Sequence, residues 1–460
     1  MQQLKSNSKC QALFNKKLID VNILKSKIFV SKIYNLTFVP RLIFPIFAFV
    51  ALLLCNTTTK AQLQEVNSPY SYIGLGQLKS STFATNRAMG GFSSAYQSPF
   101  NINYNNPASY SAIKLTTFEV GIEAKGLWLQ QNELTQRTGN GALSYLSFAF
   151  PANKYWTLAA GMLPFSSLNY DITQQDYVAQ VNDTINYRFI GTGQLYQIYF
   201  GNGFKYKDLS VGVNLGYVFG TYKRYIESRF VGLDDAFFNL ETKEQVAKGF
   251  IWNAGVQYKF SLSEKMKLTV GLNGNNSIGV NTENENRWER YRSVDNNLID
   301  TILYRKQKEK MVLPTQISGG IMLRNGADWQ IGTDITYYKW EDFRNFGQAD
   351  TSLINAMKFS FGAGFTPDAR SLTKFWQNTD YRIGFYYHTG SIQIEEQKLS
   401  EFAVTFGAAL PLRRSASRLN LSFEIGQRGS TTNNLIKETF FTSTIGVSLN
   451  DRWFIKRKYD

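Results

Sequence analysis

One histidine, His388, and two cysteines, Cys10 and Cys55, are all that this chain of 460 residues offers to the commonest catalytic and metal chemistries. A nucleophilic hydrolase holds its histidine between a nucleophile and an acid, and no G-x-S-x-G string accompanies His388. Both cysteines precede Ala61, in what reads as a removed leader, so the mature chain is expected to have no disulfide, thiol nucleophile or thiolate ligand. No catalytic residue, metal ligand or cofactor site is expected. The residues that do form a pattern suit anchoring instead. Arg87, Gly90 and Gly91 stand in R-A-M-G-G, and Asn105, Asn106, Pro107 and Ala108 stand in N-N-P-A-S-Y. Proline extends the residue before it and favours a first helical turn. Asn106 is therefore placed to accept from the backbone N–H groups that such a turn leaves exposed.

A second set of polar residues is set by strand parity. Leu209, Val211, Val213, Leu215, Tyr217 and Phe219 alternate with Ser210, Gly212, Asn214 and Gly216. Successive side chains of a strand point to opposite faces, so this segment has one greasy and one small, polar face. The pattern returns at Trp329–Tyr337 and Leu419–Gly426. On the polar parity lie Glu119, Asp334, Arg382 and Glu424, with His388 beside them, fit for a transport path or for an ion-pair lattice that fills an interior. Charge is expected to hurt at Leu215 and to be tolerated at Asn214.

A soluble sandwich would alternate too; repetition at barrel spacing, a polar inside and a secretion signal point to lipid on the greasy side, and the N-terminus carries that signal. Leu42–Cys55 is apolar, follows Arg41 and a lysine-rich leader, and is too short to span a bilayer. With Thr59-Lys60-Ala61 before Gln62 it reads as a secretory signal over residues 1–61, its long leader allowing a misplaced start. That leader carries nine Lys/Arg and one Asp, a net charge of +8, which leaves +7 of the formal +15 to the rest. The remaining charge is scattered, which argues against nucleic acid as a partner.

Residues 62–114 are rich in Gly, Asn, Pro and Ser and are expected to be short helices and loops that fold into a lumen as a plug. Residues 115–460 read as an all-β, transmembrane antiparallel β-barrel of about 14 strands. Their starts are expected near Leu115, Gly141, Tyr155, Thr184, Leu209, Phe238, Lys267, Asp300, Trp329, Met357, Thr379, Lys398, Leu419 and Glu438. Short connections at Ala152–Lys154, Lys207–Asp208, Leu262–Met266 and Asn325–Asp328, with a longer exception around Asp368–Asn378, alternate with long polar loops at Gln130–Asn140, Tyr170–Asp183 and Thr282–Leu298. That is the rhythm of an outer-membrane barrel. Arg305–Lys310 reads as a solvated loop stem. Trp128, Trp156, Trp252, Trp329, Trp340 and Trp453 fall near strand ends, as interfacial anchors do.

R-A-M-G-G followed by N-N-P-A-S-Y just before the first long strand resembles the FadL/TodX family of outer-membrane hydrophobic-compound transporters. The final W-F-I-K-R-K is similar to barrels of the Bacteroidetes, including the PorV branch that serves type IX secretion. The resemblance implies an N-terminal hatch carrying Asn-Pro-Ala inside a fourteen-stranded barrel. It also implies passive uptake of hydrophobic small molecules such as long-chain fatty acids, with outer-membrane lipid and that ligand as partners. The alternative is a structural or scaffolding barrel whose surface loops bind secretion-system proteins.

Overall fold

The computed structural model describes residues 68–453 apart from 234–235, 372–373 and 414. The signal segment, both cysteines and residues 454–460, which hold all of the C-terminal motif but Trp453, lie outside the described residues. Among those described, fourteen antiparallel strands close into a barrel. They are β1 (Thr116–Gln131), β2 (Leu134–Pro151), β3 (Trp156–Val178), β4 (Asp183–Tyr206), β5 (Leu209–Phe230) and β6 (Phe237–Ser261). β7 runs in two parts, Met266–Asn275 and Ile278–Arg292, and β8 likewise, Leu298–Leu313 and Thr315–Asn325. The ring continues through β9 (Trp329–Lys339), β10 (Ala356–Phe365), β11 (Asp380–His388), β12 (Glu401–Pro411), β13 (Arg418–Arg428) and β14 (Lys437–Asp451). It closes where β1 pairs with β14, in register from Thr116↔Asp451 to Gln130↔Lys437.

Parity decides which side chain meets which solvent. Leu215, Phe250, Ile317, Ile383 and Ile425 stand exposed on the outer wall, while Asn214, Gln257, Ser318, Arg382 and Thr405 are buried inside. An apolar band on every strand and a polar interior are what a bilayer demands of a closed sheet. Among the described residues no helix is long and apolar enough to cross a membrane. The chain crosses with strands and resides in the outer membrane.

The expected strand starts hold within three residues, with one exception: β2 begins at Leu134 rather than near Gly141. The expected long polar loops are not loops. Residues 130–140, 170–183 and 282–298 are mostly strand, turning at 132–133, 179–182 and 293–297. β3, β4 and β6 reach 23, 24 and 25 residues, whereas a tilted strand spans a bilayer in about 9–11. One side of the wall therefore stands well above the membrane, built of polar strands. Arg305–Lys310 belongs to this extension as strand, not loop stem, and Lys306 pairs there with Glu283 at 2.5 Å. β14 runs on through Asn450-Asp451. Trp156, Trp329 and Trp453 sit at the end where β1 begins and β14 finishes. Trp340 instead is buried in an apolar cluster at the opposite mouth with Phe343 and Leu353, and Trp252 stands mid-strand.

Candidate functional site

Residues 68–113 form a 3-10 turn (Pro69–Tyr72), a two-residue strand (Gln77–Leu78), one helical turn (Ala84–Arg87) and a second 3-10 turn (Pro107–Ala112). Elements this short cannot pair all their own polar groups, and the inward faces of strands around the ring supply many of the partners.

Arg87 binds Glu123 of β1 in a buried ion pair and donates to Thr444 Oγ1 of β14 at 3.2 Å. Its Nε also holds the carbonyl of Thr82 at 3.0 Å. Gly90 has φ +68, where a side chain is strained, and its N–H donates to Thr405 Oγ1 of β12 at 2.8 Å. A Cβ on Gly90 would also press on the carbonyl oxygens of Phe361 and Phe385 at 2.5 Å. Gly91, at φ +79, donates to the Asn86 carbonyl at 2.9 Å and closes the turn.

Asn106 caps the turn that Pro107 opens, its Oδ1 accepting from the N–H of Ala108 at 3.1 Å. Its Nδ2 donates to the carbonyl of Ser94 at 2.6 Å. Asn105 Oδ1 accepts from Ser81 at 2.5 Å, and its carbonyl accepts from Asn253 of β6 at 3.1 Å. Pro107 and Ala108 lie where strand glycines leave room: a Cβ on Gly212 of β5 would collide with both, and one on Gly255 of β6 with Asn106.

Of the inward charges, two carboxylates grip backbone. Asp334 accepts from the N–H groups of Ser93 and Ser94 at 2.5 and 2.7 Å. Glu119 accepts from Ile102 N–H at 3.0 Å and Asn101 Nδ2 at 3.2 Å. Arg382 instead pairs with Asp380 at 2.6 Å, and Glu424 accepts from Tyr386 at 2.6 Å. His388 accepts from the N–H of Gly390 at 3.1 Å, a turn-capping contact. Parity alone does not single out Asn214. It accepts from Tyr110 at 3.0 Å and donates to the Tyr104 carbonyl at 2.9 Å, so a charge placed there would displace both contacts. Burial pushes the Tyr104 and Tyr110 phenols up, so both stay protonated donors.

The wall itself is interrupted. β2 and β3 pair only from Leu146↔Met162 to Pro151↔Thr157. Beyond Met162, β3 carries Pro164, which cannot donate to a ladder, and its pairing with β4 slips between Pro164 and Ser166. From there β2 follows β1 and β3 follows β4, leaving a seam. The two-residue strand occupies it, with Gln77↔Ser167 and Leu78↔Ser166, and Lys79 N–H donates to the Phe165 carbonyl at 3.0 Å. A second break lies between β6 and β7, whose ladder skips residues 249–253. A cavity of about 160 Å³ joins the two, touching Leu78 and Phe165 at the seam and Ile251 and Ile278 at the break. It adjoins a polar cavity of about 340 Å³ containing Arg87, Glu123, Lys358 and Glu424.

The BamG family model matches residues 44–460. No curated protein matches the chain in sequence. Among solved structures it is similar to the Pseudomonas putida toluene transporter TodX, at 15% identity and a TM-score of 0.54 over 82% of this chain and 99% of that one. The Ralstonia pickettii toluene transporter TbuX is similar at 11% identity and a TM-score of 0.55, over 81% and 99%. A Pseudomonas aeruginosa FadL homologue is similar at 9% and 0.53, over 82% and 100%. At these identities the shared property is the fold, and the expected FadL/TodX-like barrel is what the structure shows.

Proposed function

The chain belongs to the BamG family, and we propose that it passes hydrophobic small molecules, such as long-chain fatty acids, passively across the outer membrane through the seam between β2 and β3. The observation that carries this reading is the seam itself. A closed barrel has no edge, yet here the ladder parts and a strand of the N-terminal segment occupies the opening. Residues 62–114 then act as a plug whose Gln77–Leu78 strand is the movable part. It is held by few backbone bonds, while Arg87 and Asn106 fix the remainder. The adjoining cavities suit an amphipathic guest, with a charged head near Arg87 and Lys358 and a chain along Leu75, Phe165 and Ile251.

The test is a lock. Leu78 and Ser166 are cross-strand partners, and such Cα atoms lie about 4.5–5.5 Å apart, within disulfide reach. Leu78→Cys with Ser166→Cys should abolish uptake of a fluorescent long-chain fatty acid into proteoliposomes when oxidised and restore it when reduced. Equal uptake in both states refutes passage through the seam.

The scaffolding reading is favoured by one observation of its own. Among the described residues, Leu298–Met311 of β8 pairs with β7 alone, while β7 is held to β6 on its other side, so a charged, exposed strand edge stands open there. If the unlocked protein moves no fatty acid, and deletion of residues 283–308 abolishes co-purification of a partner protein, the barrel is a docking platform.

A further inference from the structure

The mouth at the end where β1 begins and β14 finishes holds a bowl of about 830 Å³, floored by Gln97–Pro99 and Ser111–Lys114 of the N-terminal segment. Its lining contains seven cations and one carboxylate, Glu264. Four of the cations, Lys205 of β4, Lys259 of β6, Lys267 of β7 and Arg324 of β8, have the inward parity of their strands. None of the four has an ion-pair partner among the described residues, Arg324 donating to Gln330 at 2.5 Å instead. Lys267 and Arg324 are direct cross-strand neighbours, an arrangement that costs stability and that a bound anion would offset.

We infer that this bowl docks an acidic polypeptide segment on the periplasmic side of the barrel. The spacing fits a chain rather than a single ion. From β4 to β8 there are four strand intervals, roughly 19 Å at about 4.8 Å each, the length of about six extended residues. The wall around the bowl is continuously paired, from Trp156↔Phe204 through Tyr206↔Leu209 and Leu209↔Tyr258 to Ser261↔Lys267 and Asn325↔Met266. An inner-leaflet headgroup has no lateral way in. The N-terminal segment lies across its inner side with Gln97–Pro99 and Ser111–Lys114, facing whatever enters from this mouth. A concave site of one sign concentrates field lines and speeds capture of its opposite.

The experiment uses the full mature chain in phosphatidylcholine nanodiscs with fluorescein-labelled hexaglutamate as probe, read by fluorescence anisotropy. Binding is expected at low salt and should weaken as ionic strength rises. Lys259→Glu with Lys267→Glu should weaken it more than tenfold, and Lys259→Gln with Lys267→Gln should give a smaller loss. Lys243→Glu, at the opposite end, should change nothing. Heat-modifiable migration in detergent gels confirms that each variant is folded. Absence of binding, or equal binding by the double charge reversal, overturns the proposal. So does displacement of the probe by millimolar inorganic phosphate at constant ionic strength, which makes the bowl a small-anion site. Loss of binding when the discs contain phosphatidylglycerol overturns it in favour of a lipid headgroup.

Discussion

Arg87→Met tests whether the segment is held by its buried ion pair. The Arg87 and Glu123 side chains are only 6% and 15% exposed. Removing the guanidinium leaves a carboxylate buried without its counter-charge and also breaks the bonds to Thr82 and Thr444. Breaking one partner of a buried pair costs about 3–5 kcal/mol. At 1.4 kcal/mol per tenfold, the displaced state of the segment should rise by roughly two to three and a half orders of magnitude. Single-channel recording in planar bilayers should show frequent large openings where the parent protein is quiet. Replacing both partners, as Arg87→Met with Glu123→Met, removes the uncompensated charge and should return most of the closure. A folded single variant as quiet as the parent, or a double variant as leaky as the single, refutes the reasoning.

Deleting Ser68–Tyr104 while keeping the strands should leave a folded barrel of raised conductance, with Pro107→Gly doing the same more weakly; unchanged conductance would mean that the segment does not close the lumen. Leu215→Arg should cost about 2–4 kcal/mol if it lies near the bilayer midplane, measured by urea unfolding from liposomes. Asn214→Arg should leave the barrel inserted but raise conductance, because it evicts the Tyr104 and Tyr110 contacts. Gly212→Val places a side chain against Pro107 and should cost about 1–3 kcal/mol by overpacking, read as a lower thermal midpoint.

Much of the ring is written in alternation, because a strand between lipid and a polar interior must change character at every residue. Leu215 and Asn214 lie on the faces assigned by parity alone. The tall extensions escape that logic: in T-Q-R-T-G-N-G (Thr135–Gly141) and E-N-E-N-R (Glu283–Arg287) both faces meet water, so a strand and a loop look alike. Their pairing is settled by cross-strand partners such as Lys306 and Glu283, distant in sequence. The seam has one local trace, Pro164, but its meaning depends on which strand β2 leaves. The basic bowl has none, since Lys114, Lys205, Lys259 and Arg324 meet only when the sheet has curled. Asn106 and Pro107 are legible as a turn, whereas Gly212 and Gly255 acquire their role from what rests on them.

The segment from Ser68 to Ile113 comes first in the chain and bonds to strands all around a ring that closes last, through a pairing 335 residues apart between Thr116 and Asp451. Contacts that distant form late. On that order of events the ring is wrapped around contents already in place. The N-terminal segment is in this sense a mandrel for the sheet: Gly212, Gly255 and Gly384 take their small size from a shape already present. The same segment supplied as a separate peptide to a finished, truncated barrel should not reseal it, whereas supplied during refolding it should.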